Sequence, residues 1–189
     1  KICFTNGMYD RTLSVYSGGK IFSATGSRIG WVVGPAYLIK TLMSVHQYNV
    51  FCVYDPIQTA VSESLNTIRE NNYLKEYAEK LIHHRRLLID QLANSRFNFK
   101  MWIPKGGYFI MTDISSIEVK ESHFMDEETQ QRRTKDMAFC IQLAKEHGVV
   151  AIPCASFYSA EDIELGQNMV RFAFCKSEGD IVEAGKRMA

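Results

Sequence analysis

The chain has 189 residues, 46% hydrophobic and 23% charged, with 22 Lys and Arg against 21 Asp and Glu for a net charge of +1. Such proportions require a packed core and exclude an intrinsically disordered chain. The near-neutral balance gives no electrostatic case for nucleic-acid or membrane partners, and no apolar run approaches the ~20 residues that span a bilayer.

The first residue is Lys1 rather than Met, and the chain opens in the middle of a strand-like stretch, so it reads as the later part of a longer protein. Arg11 to Tyr16 alternate as a short strand entering a loop at Ser17. Ile29 to Val33 form a second apolar run, broken by Gly30 and closed by Gly34-Pro35. Pro35 suits the first turn of a helix over Tyr37 to Tyr48, with Leu38, Leu42 and Val45 at helical spacing. Asp55 as N-cap and Pro56 at the first helical position start another. The longest helix runs from Tyr73 to Ala93, with Leu74, Ala78, Leu81, Leu88 and Leu92 on one stripe, and its His83-His84-Arg85-Arg86 run reads as a solvated face.

After Asn94 the texture changes. Phe97 to Ile103 and Tyr108 to Asp113 read as strands joined by a Pro104-Lys105-Gly106-Gly107 turn. Ser115 to Lys135 is charged and irregular, a loop or insertion. Asp136 to His147 is helical, with Met137, Cys140, Ile141 and Ala144 on one side, and stops at Gly148. Val149 to Ile152 and Met169 to Cys175 are strands, and Asp180 to Met188 is a closing helix. The expected organisation is α/β: residues 1–70 are the back of a larger domain, 71–95 a connecting helix, and 96–189 a smaller α+β domain with its own core.

The cysteines, Cys3, Cys52, Cys140, Cys154 and Cys175, have no CxxC spacing and sit among apolar neighbours, so they read as reduced core residues of an intracellular protein. His83, His84, His123 and His147 lack metal-ligand spacing and read as surface residues; no metal is expected.

Chemistry concentrates in Ser17-Gly18-Gly19-Lys20-Ile21-Phe22-Ser23-Ala24-Thr25-Gly26-Ser27-Arg28-Ile29-Gly30-Trp31. A lysine among small residues looks held for chemistry rather than left in solvent, and Gly18 and Gly19 would let a bulky ring approach the backbone. The plain alternatives are a surface lysine in a turn for Lys20, a turn residue for Ser17 and an exposed charge for Arg28. Arg171, in Met169-Val170-Arg171-Phe172-Ala173-Phe174, is an arginine inside an apolar strand. It is either an edge-strand residue reaching solvent or a buried carboxylate receptor.

The fifteen-residue pattern resembles the class I aminotransferases of pyridoxal-phosphate fold type I, above all the kynurenine aminotransferase and glutamine transaminase K branch. Ala151-Ile152-Pro153, Phe157-Tyr158 and Gly107-Tyr108-Phe109 add to the likeness. The resemblance implies the C-terminal part of the large domain, with a mixed, mostly parallel sheet, followed by the small domain. It implies pyridoxal 5'-phosphate held covalently by Lys20, its phosphate gripped by Ser17 and Arg28, and the substrate α-carboxylate held by Arg171. Tyr108 is implied as a substrate contact, against a core aromatic. Phe51, in a segment that crosses a homodimer interface, is implied as part of the partner's site, against an ordinary buried aromatic. The partners implied are an amino acid and a 2-oxo acid, with kynurenine, glutamine and aromatic amino acids as candidates and a cysteine-S-conjugate β-lyase reaction as the alternative. A cytoplasmic location is expected, with the mitochondrion as the alternative. The family's N-terminal half supplies a phosphate loop, a stacking aromatic, an aspartate and a tyrosine that have no matching motif here, so this piece alone is expected to be inactive.

Three other readings compete with this one. Ser17 and Lys20 satisfy the S-x-x-K pattern of serine acylases, but the S-D-N and K-T-G segments that should follow are absent. A P-loop is excluded because Ile21, not Ser or Thr, follows Lys20. A non-catalytic relative serving as an interaction module is the third reading, and retention of Lys20, Arg28 and Arg171 argues against it.

Overall fold

The computed structural model describes residues 2–68 and 70–189. The chain divides into two units, Lys1–Tyr73 and Leu74–Ala189.

In the first unit, β1 (Ser14–Ser17) leads into a one-turn helix α1 (Gly18–Ile21), and β2 (Gly30–Val33) returns antiparallel to β1 with Ser17 opposite Gly30. The strand expected from Arg11 starts later. Tyr9–Arg11 is a 3-10 turn, held by Thr12, whose hydroxyl donates to the Met8 carbonyl at 2.7 Å. Helices α2 (Ala36–Asn49) and α3 (Asp55–Thr67) follow. Helix α3 begins one residue earlier than its sequence suggests: Tyr54 is the N-cap, and Asp55 lies in the first turn, where a carboxylate still favours the helix dipole. Ile29 is the one large hydrophobic side chain buried among the described residues of this unit.

The second unit takes nearly all of α4 (Tyr73–Ala93) and a four-stranded sheet in the order β3 (Lys100–Trp102), β4 (Phe109–Asp113), β6 (Met169–Ala173), β5 (Ile152–Pro153). Every strand pair in both sheets is antiparallel, so no parallel pair of the expected large-domain sheet lies among the described residues. Alternation in β4 and β6 sends Ile110, Thr112, Val170 and Phe172 to one face. There they join Leu88 and Leu92 of α4, Phe139 and Leu143 of α5 (Lys135–His147), and Ile181 and Met188 of α6 (Glu178–Met188) in one core. Helix α5 ends on Gly148 at φ 65°, the left-handed stop expected of it.

Some expectations fail for local reasons. Asn98, at φ 49°, breaks the strand expected from Phe97, so β3 starts at Lys100. The polar run of α4 is not all solvated: His84 is buried, its Nδ1 at 3.2 Å from the Phe174 carbonyl. His123 is buried too, at 2.9 Å from Glu146, so neither is the surface residue foreseen. Residues 115–135 are tied down by Lys120–Glu146 (2.7 Å) and Arg133–Asp126 (2.6 Å), and Glu121–His123 is a 3-10 turn. Of the cysteines, Cys140 and Cys154 are core residues, whereas Cys52 and Cys175 are exposed.

Candidate active site

The candidate residues fall into two parts, one in each unit. In the first, the β1–β2 pairing sets Ser17 across from Gly30, and the Gly18 amide donates to the Ile29 carbonyl at 3.0 Å. Lys20 follows on α1, and the 3-10 turn Thr25–Ser27 packs against that helix, with the Thr25 hydroxyl donating to the Gly19 carbonyl at 3.3 Å. Ser17, Lys20 and Arg28 thus lie along one short hairpin segment. A Cβ on Gly19 would lie 2.9 Å from the Thr25 Cα, and one on Gly30 would lie 2.5 Å from the Tyr16 carbonyl oxygen. The tight packing the glycines permit is therefore the chain's own. On the Cβ side of Gly18 and Gly19 stand Ile29 and Thr25. Lys20 itself is exposed, not enclosed as its neighbours suggested. Arg28 is exposed and adopts φ 50°, a left-handed conformation that a non-glycine residue rarely takes.

The charge around this hairpin is one-sided. Between Asp10 and Asp55 the sequence carries Arg11, Lys20, Arg28 and Lys40 and no carboxylate. Cations on a segment of sequence free of carboxylates, beside a hydroxyl, are of the type that suits a phosphate. An amine on Lys20, a hydroxyl on Ser17 and a guanidinium on Arg28 are the donor types that a phosphorylated, amine-reactive cofactor such as pyridoxal 5'-phosphate needs.

The second part is Arg171. It lies on β6, an inner strand paired on one side with Met111 and on the other with Ile152, so the edge-strand reading is corrected. Alternation turns it to the face opposite the core. Its guanidinium carbon stands 4.3 Å from the Phe109 ring centre and 4.4 Å from that of Phe157. Its Nε is buried with no hydrogen-bond partner among the described residues. A guanidinium flanked by rings and left with donor capacity is poised for a carboxylate. The sequence alone does not mark Phe109 and Phe157 as its flanking rings. Phe109 shares the face of Arg171 by β alternation, a legible signal, whereas Phe157 comes from a 3-10 turn (Ala155–Phe157) with no periodic signature.

Tyr108 is half-buried, packs on the core and lies with its ring 4.6 Å from that of Phe109. Phe51 is 77% exposed and at φ 71°, its amide donating to the His46 carbonyl at 3.0 Å, so it is not an ordinary buried aromatic. Two further groups escaped sequence reasoning. Asp136 is wholly buried, with Oδ2 accepting from the Ala155 amide at 2.7 Å. Arg85, half-buried on α4, donates to the Pro104 carbonyl at 2.7 Å. Burial pushes the Cys140 thiol up to about 12 and raises that of Cys154, where Arg171 opposes the shift, so neither is a nucleophile at neutral pH.

Comparison with known proteins identifies the family. The family model "Aminotransferase class I and II" matches residues 2–187. Kynurenine–oxoglutarate transaminase of Dictyostelium discoideum is 35% identical over 174 residues, 91% of this chain and 40% of that protein. Kynurenine–oxoglutarate transaminase 1 of Homo sapiens is 35% identical over 183 residues, 93% of this chain and 42% of its own. The structure of Bna3p from Saccharomyces cerevisiae superposes with a TM-score of 0.84 at 31% identity, covering 95% of this chain and 42% of its own. That of N-succinyldiaminopimelate aminotransferase from Mycobacterium tuberculosis gives 0.76 at 30%, covering 98% and 43%. The chain thus spans about two fifths of the length of the relatives it matches, and its fold is the one the resemblance implied. The chain belongs to the class I and II aminotransferase family.

Proposed function

We propose that the protein to which this chain belongs is a pyridoxal 5'-phosphate-dependent aminotransferase. In this reading it moves an amino group from an aromatic amino acid of the kynurenine type to a 2-oxo acid such as 2-oxoglutarate, and it acts as a homodimer. Arg171 carries the reading, as a guanidinium between two rings with a buried, partnerless Nε on the sheet face away from the core. The names of the relatives favour kynurenine and 2-oxoglutarate among the candidate substrates.

The cofactor, when bound, supplies the electron sink for the substrate carbanion. Lys20 is the residue that holds it, and Ser17 and Arg28 are its phosphate contacts. The Lys20 amine would take the proton from the substrate Cα and pass it on to the cofactor rather than back to the same carbon, acting first as base and then as acid. Arg171 holds the α-carboxylate by a two-point contact that fixes how the Cα–H bond is presented. Phe51 reaches the partner's site, a reading that its exposure and left-handed backbone favour.

Assay of the full-length protein with L-kynurenine and 2-oxoglutarate tests this. Turnover is expected in the wild type and none above background in Lys20→Ala. Normal turnover in that variant would end the assignment.

A further inference from the structure

We propose that Asp136 is a positioning residue for the carboxylate site: by anchoring the Ala155–Phe157 turn it sets one of the two rings that flank Arg171. The inference deepens the reading of Arg171 as carboxylate receptor and rests on it.

Asp136 lies in the first turn of α5 and is wholly shielded from solvent. Its Oδ2 accepts from the Ala155 amide at 2.7 Å, and its Oδ1 has no partner among the described residues. A buried carboxyl with half its capacity unused is costly, and capping does not account for it, since Thr134 holds the N-cap position and no side-chain cap bond is made there. Its one hydrogen bond goes instead to the first residue of a turn nineteen positions on, whose third residue is Phe157.

Phe157 is 60% exposed, so burial alone does not hold its ring over the guanidinium. A fixed turn does. A Cβ on Gly166 would come within 2.6 Å of the Ala155 Cα, so the turn is also hemmed in from another side. Cys154, the residue before the turn, lies within electrostatic reach of both groups. Burial raises its thiol most, Arg171 lowers it and Asp136 raises it further. Asp136, the turn, Phe157 and Arg171 therefore form one connected unit.

The test is calorimetric binding of 3-phenylpropionate, against its uncharged amide, to the full-length protein. Asp136→Ala should weaken the acid about tenfold, because a misplaced flanking group carries a penalty of at least that order. Asp136→Asn, which keeps an acceptor oxygen, should stay within about twofold of wild type, as rescue by a near-isostere requires. Phe157→Ala should match Asp136→Ala, and the double variant should be no worse than either, the mark of two residues acting as one. Should Asp136→Ala not fold, Asp136→Glu, which displaces the acceptor by one methylene, takes its place with the same expected loss. Wild-type affinity in either replacement, equal losses in Asn and Ala, additive losses with Phe157→Ala, or an equal loss for acid and amide would each overturn the proposal. Arg171→Ala separates the two levels. Unchanged acid affinity there removes the receptor reading itself, whereas a large loss there with none at Asp136 removes only this inference.

Discussion

The two units divide the work unequally. Residues 74–189 bury a continuous apolar core under one face of an antiparallel sheet and leave Arg171 on the other. The first unit buries Ile29 and little else: neither α2 nor α3 has a buried residue, and Tyr48, Phe51 and Tyr54 are largely exposed. One unit is therefore stabilised from within, and the other carries its tight fit in backbone packing around a hairpin. Arg171, the proposed carboxylate receptor, lies on a self-supporting sheet, while Lys20, the proposed reactive amine, lies on a unit with almost no core among its described residues.

The largest effect should separate the units outright. Expressed alone, 74–189 should melt cooperatively and 1–73 should not, as followed by circular dichroism; a cooperative melt of 1–73 would break the contrast. Next, Leu92→Ala should cost about 2–5 kcal/mol by denaturant titration of the second unit, because it removes a fully buried side chain from the core. Val150→Ala, at an exposed position of the same unit, should stay within about 0.5 kcal/mol in the same measurement. In the full-length enzyme, Arg171→Lys keeps the charge and loses the fork, so the KM for amino acids should rise more than about tenfold, roughly 1.4 kcal/mol. An unchanged KM would take Arg171 out of the site.

A smaller, local effect concerns 115–135. Asp126 accepts from the amides of Thr129 and Glu128 and from Arg133, and these contacts, that from Thr129 foremost, lower its carboxyl from 3.8 to about 2. A lowered carboxyl stabilises the fold fully above its unfolded value, and that contribution is lost as pH falls through the folded one. Hydrogen exchange at Glu128 and Thr129 should therefore quicken, relative to Asp126→Asn, as pH drops from about 4 to about 2. Identical profiles would refute the contact's role. Smallest of all, Cys140 should resist thiol reagents at pH 8 until the chain unfolds, while exposed Cys175 reacts.

The sequence made much of this legible, for identifiable reasons. Helix α4 ran over Tyr73–Ala93 as its apolar period required, and Gly148 stopped α5 as a left-handed cap should. The β3–β4 turn at Pro104–Gly107 was marked by its residues. What stayed hidden was tertiary. His84 sits in a polar run, yet the Phe174 carbonyl draws it inward. The role of Gly19 could not be seen until Thr25 was placed against it. At the site, Ser17, Lys20 and Arg28 were readable as a spaced pattern. Phe157 and Asp136 were not, because a 3-10 turn and a contact spanning nineteen residues leave no period in the chain.

The most direct test is to reduce the full-length holoprotein with sodium borohydride, digest it and map the pyridoxyl label. The account predicts the label on the peptide containing Lys20, at that amine. Label on another side chain, or none at all, would contradict it.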